Sequence, residues 1–220
     1  MITDTLQFLL DNRELILGRG LEHLLLVCVA VLMAVLVGVP LGMLISRYPA
    51  AARWVLSTAT VVMTVPPAAL LTLMVPLLGM VGGGLGYAPA ILAVLLYSLL
   101  PIVRNTYIAI STVAPALRES AAGLGMTPGE QLRLVEIPLA IPVIMAGIRI
   151  AAVYNIGTVA VAAYIGAGGL GVLVSRGLAQ NDLRQLLAGA LLLGLLAVLV
   201  DVALGRLQRS LTPEGLRSQR

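Results

Sequence analysis

Lysine is absent from this sequence of 220 residues, so all 14 basic residues are arginine. A phosphate-binding loop of the GxxxxGK[ST] kind sets its lysine against the phosphates, so the chain lacks the standard means of hydrolysing ATP by itself. The single cysteine, Cys28, excludes an internal disulfide; it lies in an apolar run and is expected to be a buried core thiol. The single histidine, His23, has no cluster of cysteine or carboxylate beside it, so no metal site is expected, and it is placed at a membrane boundary. No nucleophile is paired with a base and no two carboxylates converge, which argues against an enzyme. Asp4, Asp11 and Glu14 precede the first apolar run, so the basic start and cleavage site of a signal peptide are missing and the first span should be retained.

What is present is apolar bulk. Hydrophobic residues make up 60% of the chain and charged residues 11%, with a mean hydropathy of +1.04, against roughly 45–50% apolar in a soluble domain. The natural partner is a lipid bilayer rather than nucleic acid. The length leaves room for about five or six spans of roughly 20 residues in one domain, 1–220. Residues 24–46 carry no charge and form the first expected span. Residues 54–103 are also uncharged, too long for one crossing, and the glycine-dense stretch from Gly79 to Gly86 divides them into spans at 54–78 and 88–110. Further spans are expected at 138–164 and 186–204. Residues 1–23 repeat Leu6, Leu9, Leu10, Ile16 and Leu17 among charges, which predicts an interfacial helix, with a sixth span as the alternative.

Arginine is retained in short cytoplasmic loops. If residues 111–137 are inside, so are Arg47, Arg53, Arg104, Arg118, Arg133, Arg206, Arg209, Arg217 and Arg220, leaving Arg13, Arg19, Arg176 and Arg184 outside. An external N-terminus and an internal C-terminus follow, for an all-α polytopic protein of about five transmembrane helices.

The least apolar stretch, 115–137, is the most patterned. Pro115 opens a short helix, Gly125 supplies a turn, and Thr127, Pro128 and Glu130 read as N-cap, first helical position and capping-box partner of a second helix. A tether between spans needs only a few residues, so an ordered helical pair reads as a docking element. Within it, Glu119-Ser120-Ala121, three residues, Gly125, nine residues, Val135, one residue and Ile137-Pro138 resembles the EAA loop of bacterial ABC importer permeases, whose pattern is EAA, three, G, nine, I, one, LP. Ser120, Val135 and Ile137 depart from it conservatively. The resemblance implies a MetI-like transmembrane domain in which Glu119, Ser120, Ala121, Gly125, Val135, Ile137 and Pro138 couple to an ATPase. From Ala122 to Gly171, with GLGMTP, VEIPLAIPVIMAGIR and YIGAGGLG, and from Glu22 to Gly42, the chain is similar to the osmoprotectant branch handling glycine betaine, carnitine or choline.

Other features weigh less. Gly166 to Gly171 matches GxGxxG, but it follows a span rather than a strand and lacks the later acidic residue, so it reads as a bend or as part of an external gate. Pro66 and Pro67 predict a kink facing protein or pathway. Arg149, inside a span, should pair or snorkel. Asn155, Thr158 and Tyr164 are candidates for the pathway, with hydrogen bonding between spans as the alternative. Gly38 and Gly42 form a GxxxG packing pair.

The resemblance implies a multi-pass subunit of the bacterial inner or plasma membrane that binds no cofactor itself. ATP and Mg belong to a cytoplasmic ABC ATPase dimer. A second copy or a paralogue of the permease and an external or periplasmic solute-binding protein complete the set. Trp54 is the sole tryptophan, so an aromatic cage for a quaternary ammonium is expected on the binding protein. The alternatives are a permease for another small solute such as an amino acid, a gradient-driven transporter or channel, and a structural subunit of a membrane enzyme complex.

Overall fold

The computed structural model describes residues 2–213; Met1 and residues 214–220, including Arg217 and Arg220 of the orientation count, lie outside the described residues. Among those described, every regular element is helical: α1 (Ile2–Asp11), α2 (Arg13–Ile45), α3 (Pro49–Thr64), α4 (Pro67–Gly79), α5 (Tyr87–Ser111), α6 (Pro115–Gly123), α7 (Pro128–Glu130), a π-helical segment (Gln131–Glu136), α8 (Ile137–Ala162), a 3-10 turn (Ala163–Ile165), α9 (Gly171–Ala179) and α10 (Leu183–Leu211). Four helical stretches, α2, α5, α7 through α8, and α10, are each long and apolar enough to cross a membrane. The pair α3 and α4 makes a fifth crossing if counted as one broken span.

The break between α3 and α4 is sharper than a kink, at 100°. Pro66 and Pro67 remove two successive backbone donors, which ends a helix unless something else satisfies its carbonyls. The Tyr97 hydroxyl, on α5, donates to the Val65 carbonyl at the break.

The core is built around α5, which packs along both α2 and α8. Close approach requires small residues on the flanking helices. A methyl at Gly42 would lie 2.6 Å from Thr106 Cβ, and one at Gly147 would lie 2.6 Å from the Pro101 carbonyl oxygen, both on α5. Gly38 likewise faces Ile102, so the GxxxG pair is a packing face. Leu26, Tyr97 and Ile156, from three helices, belong to one buried cluster.

Several boundaries differ from those expected from the sequence. Residues 13–23, expected in an interfacial helix, form the first turns of α2, because Glu22 and His23 find partners that let the helix continue. His23 is fully buried between helices, and Cys28 is exposed on α2 rather than buried in the core. The connection before α10 contains a helix of its own, α9. The Asp182 carboxylate then caps α10, accepting the backbone N–H groups of Arg184 at 3.0 Å and Gln185 at 3.5 Å. α10 extends beyond 186–204 at both ends.

Candidate functional site

Residues 111–137 lie at the end of the bundle where α2 and α5 terminate and α8 begins. α6 starts with proline at its first turn and closes in a Schellman arrangement. The Met126 N–H donates to the Ala121 carbonyl at 3.1 Å and the Gly125 N–H to the Ala122 carbonyl at 2.9 Å, with Gly125 at φ +81°. That conformation favours glycine, which gives the glycine of the motif a physical cause. The next helix begins with a complete capping box: Glu130 N–H donates to Thr127 Oγ1 at 3.4 Å, and Thr127 N–H to Glu130 Oε2 at 2.8 Å. Instead of ending as a separate helix, α7 runs through the π segment into α8.

The residues of the motif divide by exposure. Glu119, Ser120 and Gly125 face outward, Ala121 is the buried residue of α6, and Val135, Ile137 and Pro138 are partly buried where the π segment becomes α8. Between Val135 and Ile137 lies Glu136, whose side chain is 0% exposed. Arg47 Nη2, from the turn after α2, donates to both carboxylate oxygens, at 2.9 and 2.8 Å. Arg118 Nε, from α6, lies 3.1 Å from Oε1 as an ion pair without hydrogen-bond alignment, while Arg118 Nη2 donates to the Ile110 carbonyl at the end of α5. A buried carboxylate stripped of such partners costs about 3–5 kcal/mol. In the sequence Glu136 looks like one more polar loop residue; its signal is a charge directly preceding the apolar start of a span.

At the opposite end, the glycine run after α8 wraps the start of α2. Gly166, Gly168 and Gly169 adopt positive φ, and the Gly169 N–H donates to Glu22 Oε2 at 2.8 Å. Arg19 Nη1 donates to the same oxygen at 2.7 Å, and the Tyr87 hydroxyl donates to Oε1. His23 Nε2 lies 3.1 Å from the Ile156 carbonyl oxygen and donates to it, which places the proton on that nitrogen. The Gly86 N–H donates to the Ile165 carbonyl at 3.0 Å, bringing the turn before α5 to the same place.

Asn155 and Thr158 are buried in the protomer, and Asn155 Nδ2 donates to Ser98 Oγ on α5 at 2.7 Å. Pro66 and Tyr164 are exposed and Pro67 is partly so, so the five pathway candidates differ in burial. The exposed stripe of α8 runs through Val143, Ile150, Tyr154 and Gly157, and Tyr164 is exposed in the turn that follows it. Arg149 finds its partner on α10, where Asp201 accepts from Nε at 3.0 Å and from Nη2 at 2.8 and 2.9 Å. Gln208 joins them, accepting from Arg149 Nη1 and donating to the Pro142 carbonyl, each at 2.9 Å. The sequence does not single out Asp201, whose only signal is being an acid within an apolar run.

These features define a helical membrane subunit with a structured loop at one end. Residues 24–213 match the family of binding-protein-dependent transport system inner membrane components. The chain belongs to that family: it is the permease subunit of an ABC importer, a multi-pass protein of the bacterial inner or plasma membrane, and the ATPase is a separate subunit. It is 51% identical over 214 residues to the osmoprotectant import permease protein OsmW of Salmonella typhimurium, covering 97% of this chain and 100% of that protein. The choline transport system permease protein OpuBB of Bacillus subtilis is 43% identical, with 96% of this chain and 95% of that protein covered. Among solved structures, the inward-facing MetNI methionine ABC transporter matches with a TM-score of 0.80 and 26% identity, over 90% of this chain and 97% of that one.

Proposed function

We propose that the outward face of α6, with Glu119, Ser120 and the Gly125 turn, seats on a cytoplasmic ABC ATPase dimer that carries ATP and Mg, and that Ala121, Val135, Ile137 and Pro138 root this element in the bundle. The observation carrying this reading is an ordered helix whose Glu119 and Ser120 point away from the bundle, while Ala121 and Arg118 point into it. The loop end is then cytoplasmic and the glycine end external, in keeping with the greater number of arginines at the loop end. Closure of the ATPases displaces α6 and rocks the spans between two accessibilities. Two permeases, as identical copies or paralogues, enclose the pathway between them. Pro66, Pro67, Asn155, Thr158 and Tyr164 stand in or directly behind its lining, with the exposed face of α8 contributing Tyr154 and Gly157.

The solute reaches the pathway from an external binding protein. An osmoprotectant such as glycine betaine, carnitine or choline is supported by the names of the relatives. In proteoliposomes with the ATPase and binding protein, uptake of labelled glycine betaine is expected to require ATP and to resist competition by methionine. Uptake indifferent to ATP would overturn the coupling reading, and competition by methionine would redirect the choice of solute.

A further inference from the structure

α6 touches the rest of the chain sparingly. It packs chiefly on the π segment, Ala121 is its buried residue, and Arg118 is its charged link inward. A displacement applied to its outer face reaches the spans through those contacts and through the short connections to α5 and α7. Arg118 does not end on a single helix. Its guanidinium bridges the last turn of α5, at the Ile110 carbonyl, and the Glu136 carboxylate, which Arg47 grips from the turn between α2 and α3.

We propose that Glu136, with Arg47 and Arg118, is the mechanical linkage that passes movement of α6 to α2, α5 and α8 together, which makes these three positioning residues for transport. The inference rests on the coupling role of residues 115–137 and names the part of that element that transmits. Three arguments support it. The cluster joins segments separated by 89 residues, Arg47 and Glu136, so it can hold the ends of several spans in register. A carboxylate at 0% exposure between two guanidiniums is stiff, since leaving that arrangement means burying an uncompensated charge. The π segment ends on Glu136, and such wide turns recur where a helix re-aims a side chain for function. Arg47 also lies two residues before the start of α3, so the root of the broken span is tied to the same point.

The test separates assembly from transmission. In proteoliposomes with ATPase and binding protein, Glu136→Gln is expected to assemble with the ATPase and to hydrolyse ATP within about twofold of wild type. Glycine betaine moved per ATP should fall by about tenfold or more, and Glu136→Asp should recover most of it. Arg118→Gln, at a side chain 29% exposed, should show the same loss. It decides the question if Glu136→Gln does not accumulate in the membrane. A transport-to-ATP ratio unchanged in an assembled variant overturns the linkage. If Glu119→Arg then still prevents ATPase assembly, the docking reading survives that failure; if Glu119→Arg assembles and transports normally, the reading beneath the linkage fails instead.

Discussion

The Gly169 backbone N–H donates to the Glu22 carboxylate at 2.8 Å, across 147 residues of sequence. It ties the glycine bend after α8 to the first turns of α2. A methyl at Gly168 would lie 2.4 Å from Glu22 Oε1, and Gly168 sits at φ +77°, so both space and backbone demand glycine there.

Gly168→Ala is therefore expected to destabilise the permease by about 1–3 kcal/mol, from backbone strain and from displacement of the carboxylate. Glu22→Gln should cost less, about 1 kcal/mol, because an amide oxygen still accepts from Gly169. Thermal unfolding of the purified subunit in detergent ranks the two; equal stability of Gly168→Ala and wild type would contradict the close fit.

Arg149 and Asp201 form a bidentate pair between α8 and α10. Asp201→Ala leaves an arginine charge in an apolar stretch, with an expected cost of about 2–3 kcal/mol. Joint replacement by leucine should recover most of that loss, since removing both charges avoids burying either alone. A double-mutant cycle read by thermal unfolding checks the coupling, and additive losses would exclude it.

Tyr97→Phe removes the donor to the Val65 carbonyl at the break between α3 and α4. The expected loss is about 1 kcal/mol, in the range of a single hydrogen bond. Hydrogen exchange should rise locally on both sides of residues 64–67. A change spread evenly over the chain would point to a general effect instead.

Thr127→Ala opens the capping box before the π segment, with an expected cost of about 1 kcal/mol. Gly125→Ala should cost about as much from its positive φ alone, because no atom lies within 4 Å of the added methyl. Any larger defect of Gly125→Ala in ATPase binding would come from bulk on the docking face, and copurification measures it against the stability change.

The proposed orientation is tested by labelling. In a Cys28→Ser background, cysteine at Gln180 is expected to react with a membrane-impermeant maleimide in intact spheroplasts. Cysteine at Leu124, an exposed residue of the loop, should react only after permeabilisation. The reverse pattern would invert the assignment.

Features made by neighbours along the chain are legible in the sequence. Thr127 and Glu130 are three residues apart and meet within one turn, and Gly125 closes α6 through bonds to Ala121 and Ala122. Pro66 and Pro67 mark the break by removing donors in place. Long-range pairs are not legible: Arg47 with Glu136, Arg149 with Asp201, and His23 with Ile156 link residues 89, 52 and 133 positions apart. The helices themselves conceal their faces. α2 and α8 are apolar on nearly every side, so periodicity does not tell which side meets another helix and which meets lipid. For that reason Cys28, in an apolar run, is exposed, while His23, only a turn and a half away on α2, is buried.

Sequence alone places this chain in a membrane, shows a charged helical loop interrupting its apolar bulk, and gives that loop a spacing that resembles an ABC importer permease. These follow from composition and from contacts within a few residues, which any copy of the chain makes wherever its helices pack. Which charges far apart in the chain are paired is a property of the tertiary structure. A lone carboxylate such as Glu136 is tolerable in a buried place only when arginines from other helices arrive with it, and their arrival depends on how the helices pack.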